Sequence, residues 1–371
     1  MESMSSSDPV GAVAARLSGL RQILTRSDLD ALLVSQPENR RYLSGFTGSA
    51  GWLLVSQTGA LLATDFRYFE QVELECPGID LVRIVQGLVQ TLPAMLEQAS
   101  ARRVGFEADH ATFADVQAWI AATPDQEWSA TQGLVSSLRA VKDGAEVVAL
   151  RSAVRLADEA LAAVLPRLRP GMPELEGAWL IESYLRQHGA EGLAFETIVA
   201  GGSNGARPHA RASSAALPAG EPIVIDMGAR VGGYCSDVTR TVCLGQPTDP
   251  VRFWEIYNLV LKAQGAAKSV ARAGMTGRQV DSVARDVIAA AGYGANFGHS
   301  LGHGVGLAVH EEPLLSRRYE GLLAAGNVVT LEPGVYLPGW GGVRIEDMIV
   351  LNDEGAEVLT AAPKDPLLPI S

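Results

Sequence analysis

Cysteine is scarce in this chain of 371 residues: Cys76, Cys235 and Cys243 are few, odd in number and never in a Cys-x-x-Cys spacing. That pattern does not describe a disulfide framework; it fits reduced thiols, each a small buried side chain. Basic charge is also short, with 30 Lys and Arg against 42 Asp and Glu. A formal charge of -12 argues against a nucleic-acid or anionic-membrane surface as the main business of the protein. No run approaches the roughly 20 apolar residues of a membrane span. The opening MESMSSSDPV has neither the basic nor the apolar region of a secretion signal, so a cytoplasmic protein is expected. What remains is globular in composition, 47% hydrophobic and 19% charged, and long enough for about two domains.

Periodicity divides the chain near residue 138. Before it, short apolar strands at residues 30–34, 52–55, 61–64, 81–84 and 103–106 alternate with helical stretches at 10–24, 66–75, 88–98 and 112–121. That alternation predicts a small α/β domain over residues 1–138. Gly45, Gly48 and Gly51 punctuate a loop ahead of Trp52; with no Lys-Ser/Thr and no helix following, they read as a turn and not a phosphate cradle. Residues 139–371 open with charged text, RAVKDGAEV, and two helices, 146–165 and 174–188. A strand-rich stretch follows. Two more helices, 252–272 and 276–291, then precede a second set of strands, so the order of helices and hairpin occurs twice.

Each of those hairpins carries two carboxylates. In PIVIDMGARVGGYCSDVTRTV, a turn centred between Val231 and Gly232 pairs residues whose numbers sum to 463, which places Asp226 opposite Asp237. In VVTLEPGVYLPGWGGVRIEDMIV, a turn at Gly339 gives 678 and pairs Glu332 with Glu346. Cross-strand partners stand roughly 4.5 to 5.5 Å apart, so like charges there repel. Two such pairs inside apolar strands point to metal binding, because a buried, unpaired carboxylate is very costly. The candidate imidazoles are His209, His299, His303 and His310, whereas His110 and His188 sit in ordinary helix-end contexts. His299 and His303 have a helical spacing, but Gly302, Gly304 and Gly306 argue against a helix there.

Through DMGARVGGYCSDVTRT, HSLGHGVGLAVHE, EPGVY and GVRIED, with NGARPHA ahead of them, the sequence resembles the Xaa-Pro peptidases, aminopeptidase P and prolidase, of the methionine-aminopeptidase-like or pita-bread metallopeptidases. The first half resembles their creatinase-type N-terminal domain more loosely. The resemblance implies an α+β fold: a curved antiparallel sheet in a pita-bread catalytic domain, preceded by the smaller α/β domain. It implies two divalent ions, Mn first and Co, Zn or Fe otherwise, held by Asp226, Asp237, His303, Glu332 and Glu346, with Asp237 and Glu346 bridging. Glu332 is then the general base in hydrolysis of the bond before proline. His310 and His209 contact substrate and stabilise the intermediate, His299 belongs to the substrate pocket, and Arg344 supports the site. The implied partners are proline-containing peptides and, as a homodimer, a second copy of the chain.

Where prolidases often carry an arginine for the dipeptide carboxylate, four residues beyond His310, this chain has Leu314. That departure favours an aminopeptidase over a dipeptidase, although Arg40 or Arg41 from another subunit could supply the charge. A metal-independent creatinase-like hydrolase and a non-catalytic binding module would not be expected to keep all five ligands. Methionine aminopeptidase lacks the N-terminal domain and the GVRIED context.

Overall fold

In a computed structural model, the short apolar runs of the first half form the middle of a six-stranded sheet. The structure describes residues 9–370; residues 1–8, most of the stretch read above for a secretion signal, lie outside it. Two compact units divide the chain between Arg139 and Ala140. In the first, β1 (Ala31–Val34), β2 (Trp52–Ser56) and β3 (Ala60–Thr64) are buried along nearly their whole length, as strands covered on both faces are. They pair antiparallel, while β4 (Asp80–Arg83), β5 (Arg103–Glu107) and β6 (Glu127–Thr131) add in parallel, giving the order β4-β3-β2-β1-β5-β6. Helices α1 (Pro9–Arg26), α2 (Pro37–Ser44), α3 (Phe69–Glu75), α4 (Leu88–Gln98) and α5 (Phe113–Ala122) connect them. Leu92, Met95 and Trp119 share a core with Leu33, Leu54 and Val104.

Helix α2 lies just ahead of the glycine loop and was not read from the sequence. Its sequence, PENRRYLS, has too short an apolar stripe to announce a helix, but Pro37 starts it and Gly45, at φ 80°, ends it. It places Arg40 so that the guanidinium donates to the carbonyls of Gly48 and Gly51. The glycine loop therefore turns carbonyls, not N–H groups, towards the arginine, the reverse of a phosphate cradle.

A short helix, α6 (Ser136–Ala140), runs across the boundary. In the second unit α7 (Gly144–Val164) and α8 (Glu174–Gln187) precede β7 (Gly192–Leu193), β8 (Ile198–Gly201), β9 (Pro222–Met227), β10 (Ala229–Val231), β11 (Tyr234–Cys235) and β12 (Val238–Leu244). Then α9 (Pro250–Val270) and α10 (Gly277–Ala290) precede β13 (Gly302–Gly304), β14 (Glu311–Leu315), β15 (Val328–Leu331), β16 (Gly334–Leu337), β17 (Gly341–Arg344), β18 (Asp347–Leu351), β19 (Ala356–Val358) and β20 (Leu367–Leu368). The duplicated order of two helices and antiparallel strands is thus present. Each helix pair covers its own strands: Leu161, Ile181 and Leu185 pack with Ile223, Ile225 and Val242, and Phe253, Val260 and Ile288 with Val329, Val343 and Ile349.

The two hairpin registers fare differently. Val328↔Val350 and Leu331↔Asp347 on one side, and Gly334↔Arg344 on the other, all keep the sum of 678, so Glu332 and Glu346 lie across from each other between two ladders. In the first hairpin the sum is 465, not 463: Val231 faces Tyr234, and Asp226 faces Thr239. The turn is the Gly232-Gly233 pair, both at positive φ, which moves the register by two residues. A shift of two preserves the face, so Asp237 becomes the diagonal neighbour of Asp226.

Candidate metal centre and substrate cavity

Asp226 lies on β9 between Ile198 of β8 and Thr239 of β12. Asp237 sits at the break between β11 and β12, where its N–H donates to the Met348 sulfur at 3.2 Å. Glu346 follows β17; its N–H donates to the Thr239 carbonyl at 3.1 Å, and its Oε2 accepts from the Thr239 hydroxyl at 2.7 Å. Thr239 thus ties the first sheet to the second. His303 occupies β13, not a helix, at a bulge where the pairing with β14 slips between His303 and Gly304. Such a slip re-aims a side chain.

Ligand atoms of Asp237, His303 and Glu346 come within 4.8 Å of one another. His303 Nε2 stands 3.6 Å from Asp237 Oδ2 and 3.3 Å from Glu332 Oε1. Asp226 Oδ2 accepts from Arg344 Nη2 at 2.7 Å, while its Oδ1 is buried with no hydrogen-bond partner among the described residues. An orphaned carboxylate oxygen beside three more acids and an imidazole is a donor set that fits a divalent cation. The donor set, oxygen-rich with one imidazole, suits Mn, Co, Fe or Zn.

The electrostatics agree. Burial, then the charges of Glu346, Asp226 and Glu332, push the Asp237 carboxyl well above the usual range. Burial, with Glu332 and Asp226, does the same to Glu346, and burial raises Asp226 against the pull of Arg344. Glu332 is the exception: burial would raise it, but the hydrogen bond and charge of His303 prevail and hold it at about 2. His303 is raised in turn, because Glu332 outweighs the burial that would lower it.

These five residues line a cavity of about 370 Å³ together with His209, His299, His310 and Arg344, so all nine residues singled out from sequence converge. The His310 ring meets His303 edge to face at 4.3 Å. His299 Nε2 is 3.0 Å from the Tyr336 hydroxyl, which accepts from Arg344 Nη1 at 2.7 Å. Arg344 also reaches the Pro208 carbonyl and the Thr239 hydroxyl, both at 3.1 Å. Cys235 stays out of this cluster, fully buried with its sulfur 3.8 Å from the Leu307 carbonyl.

Tyr336 and Thr239 escaped the sequence reading. Both share strand parity with the carboxylates: Tyr336 is four residues past Glu332, and Thr239 two past Asp237. An alternation count along each strand would have found them. The wall formed by Phe195, Thr197, Ile198 and Arg211 carried no comparable signal. Of the two arginines considered above as carboxylate readers, Arg40 and Arg41, Arg40 is 3% exposed and spends its guanidinium inside its own unit.

Comparison with known proteins matches residues 148–353 to metallopeptidase family M24 and residues 16–141 to the creatinase/prolidase N-terminal domain. An uncharacterised peptidase of Bacillus subtilis, YqhT, is 40% identical over 94% of this chain and 99% of its own. A solved Xaa-Pro dipeptidase from Bacillus anthracis superposes with a TM-score of 0.93 at 39% identity, covering 96% of this chain and 100% of its own. An X-Pro aminopeptidase from Thermotoga maritima gives 0.88 at 37%, covering 95% and 99%. With fold, domain order and both family matches in agreement, the chain belongs to metallopeptidase family M24, as a hydrolase of the Xaa-Pro dipeptidase and aminopeptidase group with a creatinase-type N-terminal domain and a pita-bread catalytic domain.

Proposed function

We propose that the protein is an Xaa-Pro aminopeptidase in which Asp226, Asp237, His303, Glu332 and Glu346 hold two divalent cations, manganese by preference. The observation that carries the proposal is the convergence of four carboxylates and one imidazole on one cavity, with Asp226 Oδ1 left unpartnered among the described residues. Bound there, the ions supply Lewis-acid chemistry, acidifying a water and polarising the scissile carbonyl. The protein's part is positional and protonic. Glu332, kept ionised beside His303, takes the proton of the attacking water and delivers it to the departing proline nitrogen. That nitrogen carries no hydrogen in the substrate, so the site has no amide donor to satisfy.

His310 and His209 face the cavity and donate to the oxygen on which charge develops. Burial lowers His310 below the ordinary imidazole range, which leaves it neutral at pH 7 with one N–H to give. His299 lines the substrate pocket, and Arg344 balances Asp226. Phe195 and Ile198 offer an apolar wall for the proline ring.

The choice of aminopeptidase rests on Leu314, an apolar residue 38% exposed and paired with His303 across β13 and β14, and on the internal commitment of Arg40. A free C-terminal carboxylate gains no cation from either. Turnover of an Xaa-Pro dipeptide and an Xaa-Pro-Xaa tripeptide by the manganese-reconstituted enzyme tests this. The tripeptide is expected to have the higher kcat/KM by about tenfold or more, the worth of roughly 1.4 kcal/mol; preference for the dipeptide would make the protein a prolidase. Activity unaffected by exhaustive dialysis against chelator would overturn the metal-dependent reading.

A further inference from the structure

His299 reaches the cavity from residues 297–301, a segment that belongs to no helix or strand. Helix α10 holds it. Asp281 and Arg285, one turn apart, form a bidentate pair with Nε to Oδ2 and Nη2 to Oδ1 both at 2.7 Å. Asp281 is fully buried and Arg285 largely so, their side chains 0% and 11% exposed, unlike the solvated i,i+4 pairs that decorate helix surfaces.

The capacity left over after pairing is aimed at the segment. Arg285 Nη1 donates to the Phe297 carbonyl at 2.9 Å, and Nη2 to the His299 carbonyl at 2.8 Å. Asp281 Oδ1 accepts from the Leu301 N–H at 3.0 Å. The guanidinium also lies 4.1 Å from the centre of the Phe297 ring, and that ring meets the His299 imidazole edge to face at 5.1 Å. Both the backbone of His299 and the ring beside it are therefore set by one arginine. Among the described residues the imidazole has two further anchors, the Ser300 carbonyl 2.8 Å from Nδ1, on the same segment, and the Tyr336 hydroxyl 3.0 Å from Nε2.

We propose that Asp281 and Arg285 are positioning residues that fix His299 for substrate binding. The proposal rests on the reading of His299 as a substrate-pocket residue. Lysine cannot replace the arginine here, because a single ammonium lacks the planar fork that serves Asp281, Phe297 and His299 together. It does keep a cation beside buried Asp281, so Arg285→Lys removes the positioning while sparing the charge balance.

The test uses the manganese-loaded, full-length protein, with KM and kcat for an Xaa-Pro-Xaa peptide measured for Arg285→Lys, His299→Ala and the double variant. Arg285→Lys is expected to raise KM by about tenfold, with manganese content retained, since misplacement of a binding group costs on that order. In the His299→Ala background it is expected to add nothing, a non-additivity that a merely structural ion pair would not show. Asp281→Asn keeps an oxygen for the Leu301 N–H and provides a second variant, with the same expected rise, should Arg285→Lys fold poorly. If His299→Ala raises KM while Arg285→Lys and Asp281→Asn leave it unchanged, or multiply the His299→Ala effect in full, positioning is overturned and the site reading stands. A normal KM for His299→Ala overturns both.

Discussion

Among the described residues, Asp237 has no counter-ion in direct contact except His303, yet it is 5% exposed and surrounded by three other acids. A residue in that position either binds metal or burdens the fold. The two roles separate on substitution. Asp237→Asn keeps the volume and removes the charge, so kcat/KM is expected to fall by about 10³-fold or more, comparable to removal of a principal electrostatic group. Metal measured after dialysis should fall with it. In the presence of chelator, by contrast, the variant should melt no lower than the parent, because asparagine is neutral without having to hold a proton against the ordinary carboxylate equilibrium. Retention of the full metal complement would remove Asp237 from the ligand set. The charged members of this site were legible in the sequence because a carboxylate in an apolar strand is too costly to bury without a cation to meet it. Thr239 and Tyr336 were not, since a threonine or a tyrosine in a strand is ordinary and only its hydrogen bonds, to Glu346 and Arg344, set it apart.

Elements carry these residues into place through contacts that tolerate little change. The loop ending in His310 is held by the next residue: Glu311 pairs with Lys142 at 2.7 Å, the lysine side chain wholly buried and the glutamate 6% exposed. Breaking a buried pair strands the remaining charge, so Lys142→Met should cost about 3 to 5 kcal/mol in urea unfolding, and Lys142→Met with Glu311→Leu should recover most of it. A single variant within about 1 kcal/mol of the parent would show that the pair does not set the loop. At β13 the constraint is steric: a Cβ on Gly302 would run into the Thr330 carbonyl of β15. Gly302→Ala is expected to displace His303 and lower metal affinity, read by titration of the metal-free protein. Long helices such as α7, α9 and α10 were legible from their periodicity and caps, Thr276 and Gln279 forming the capping box of α10. The register of the first hairpin was not, because its Val-Gly-Gly stretch accommodates a turn at either of two centres, and only the packed sheet selects Gly232-Gly233. In the second hairpin the observed pairing keeps the centre at Gly339 that the sequence suggested.

For the whole molecule, metal, protons and stability are coupled, and the signs can be worked out. Asp237 and Glu346 keep their protons in the metal-free fold to a pH well above the ordinary carboxylate range, whereas the unfolded chain releases them near about pH 4. Above that point the fold binds more protons than the unfolded chain, so metal-free stability falls as pH rises. His303, raised, acts in the same direction, its contribution being lost as pH climbs through its folded pKa. Glu332 acts oppositely, but at about 2 its contribution is complete by neutral pH and is lost only in strong acid. A cation replaces the retained protons, so its affinity must grow with pH. The general repulsion expected from a net charge of -12 also rises with pH, but it acts on loaded and metal-free protein alike. The difference in Tm between manganese-loaded and chelated protein therefore isolates the site. Measured by differential scanning fluorimetry at pH 5.5, 7 and 8, that difference is expected to widen at each step, each proton displaced per pH unit being worth about 1.4 kcal/mol. A difference that stays constant would mean that the carboxylates are ionised before the metal arrives, and that the energy of their crowding is borne by the fold and not released by the ion.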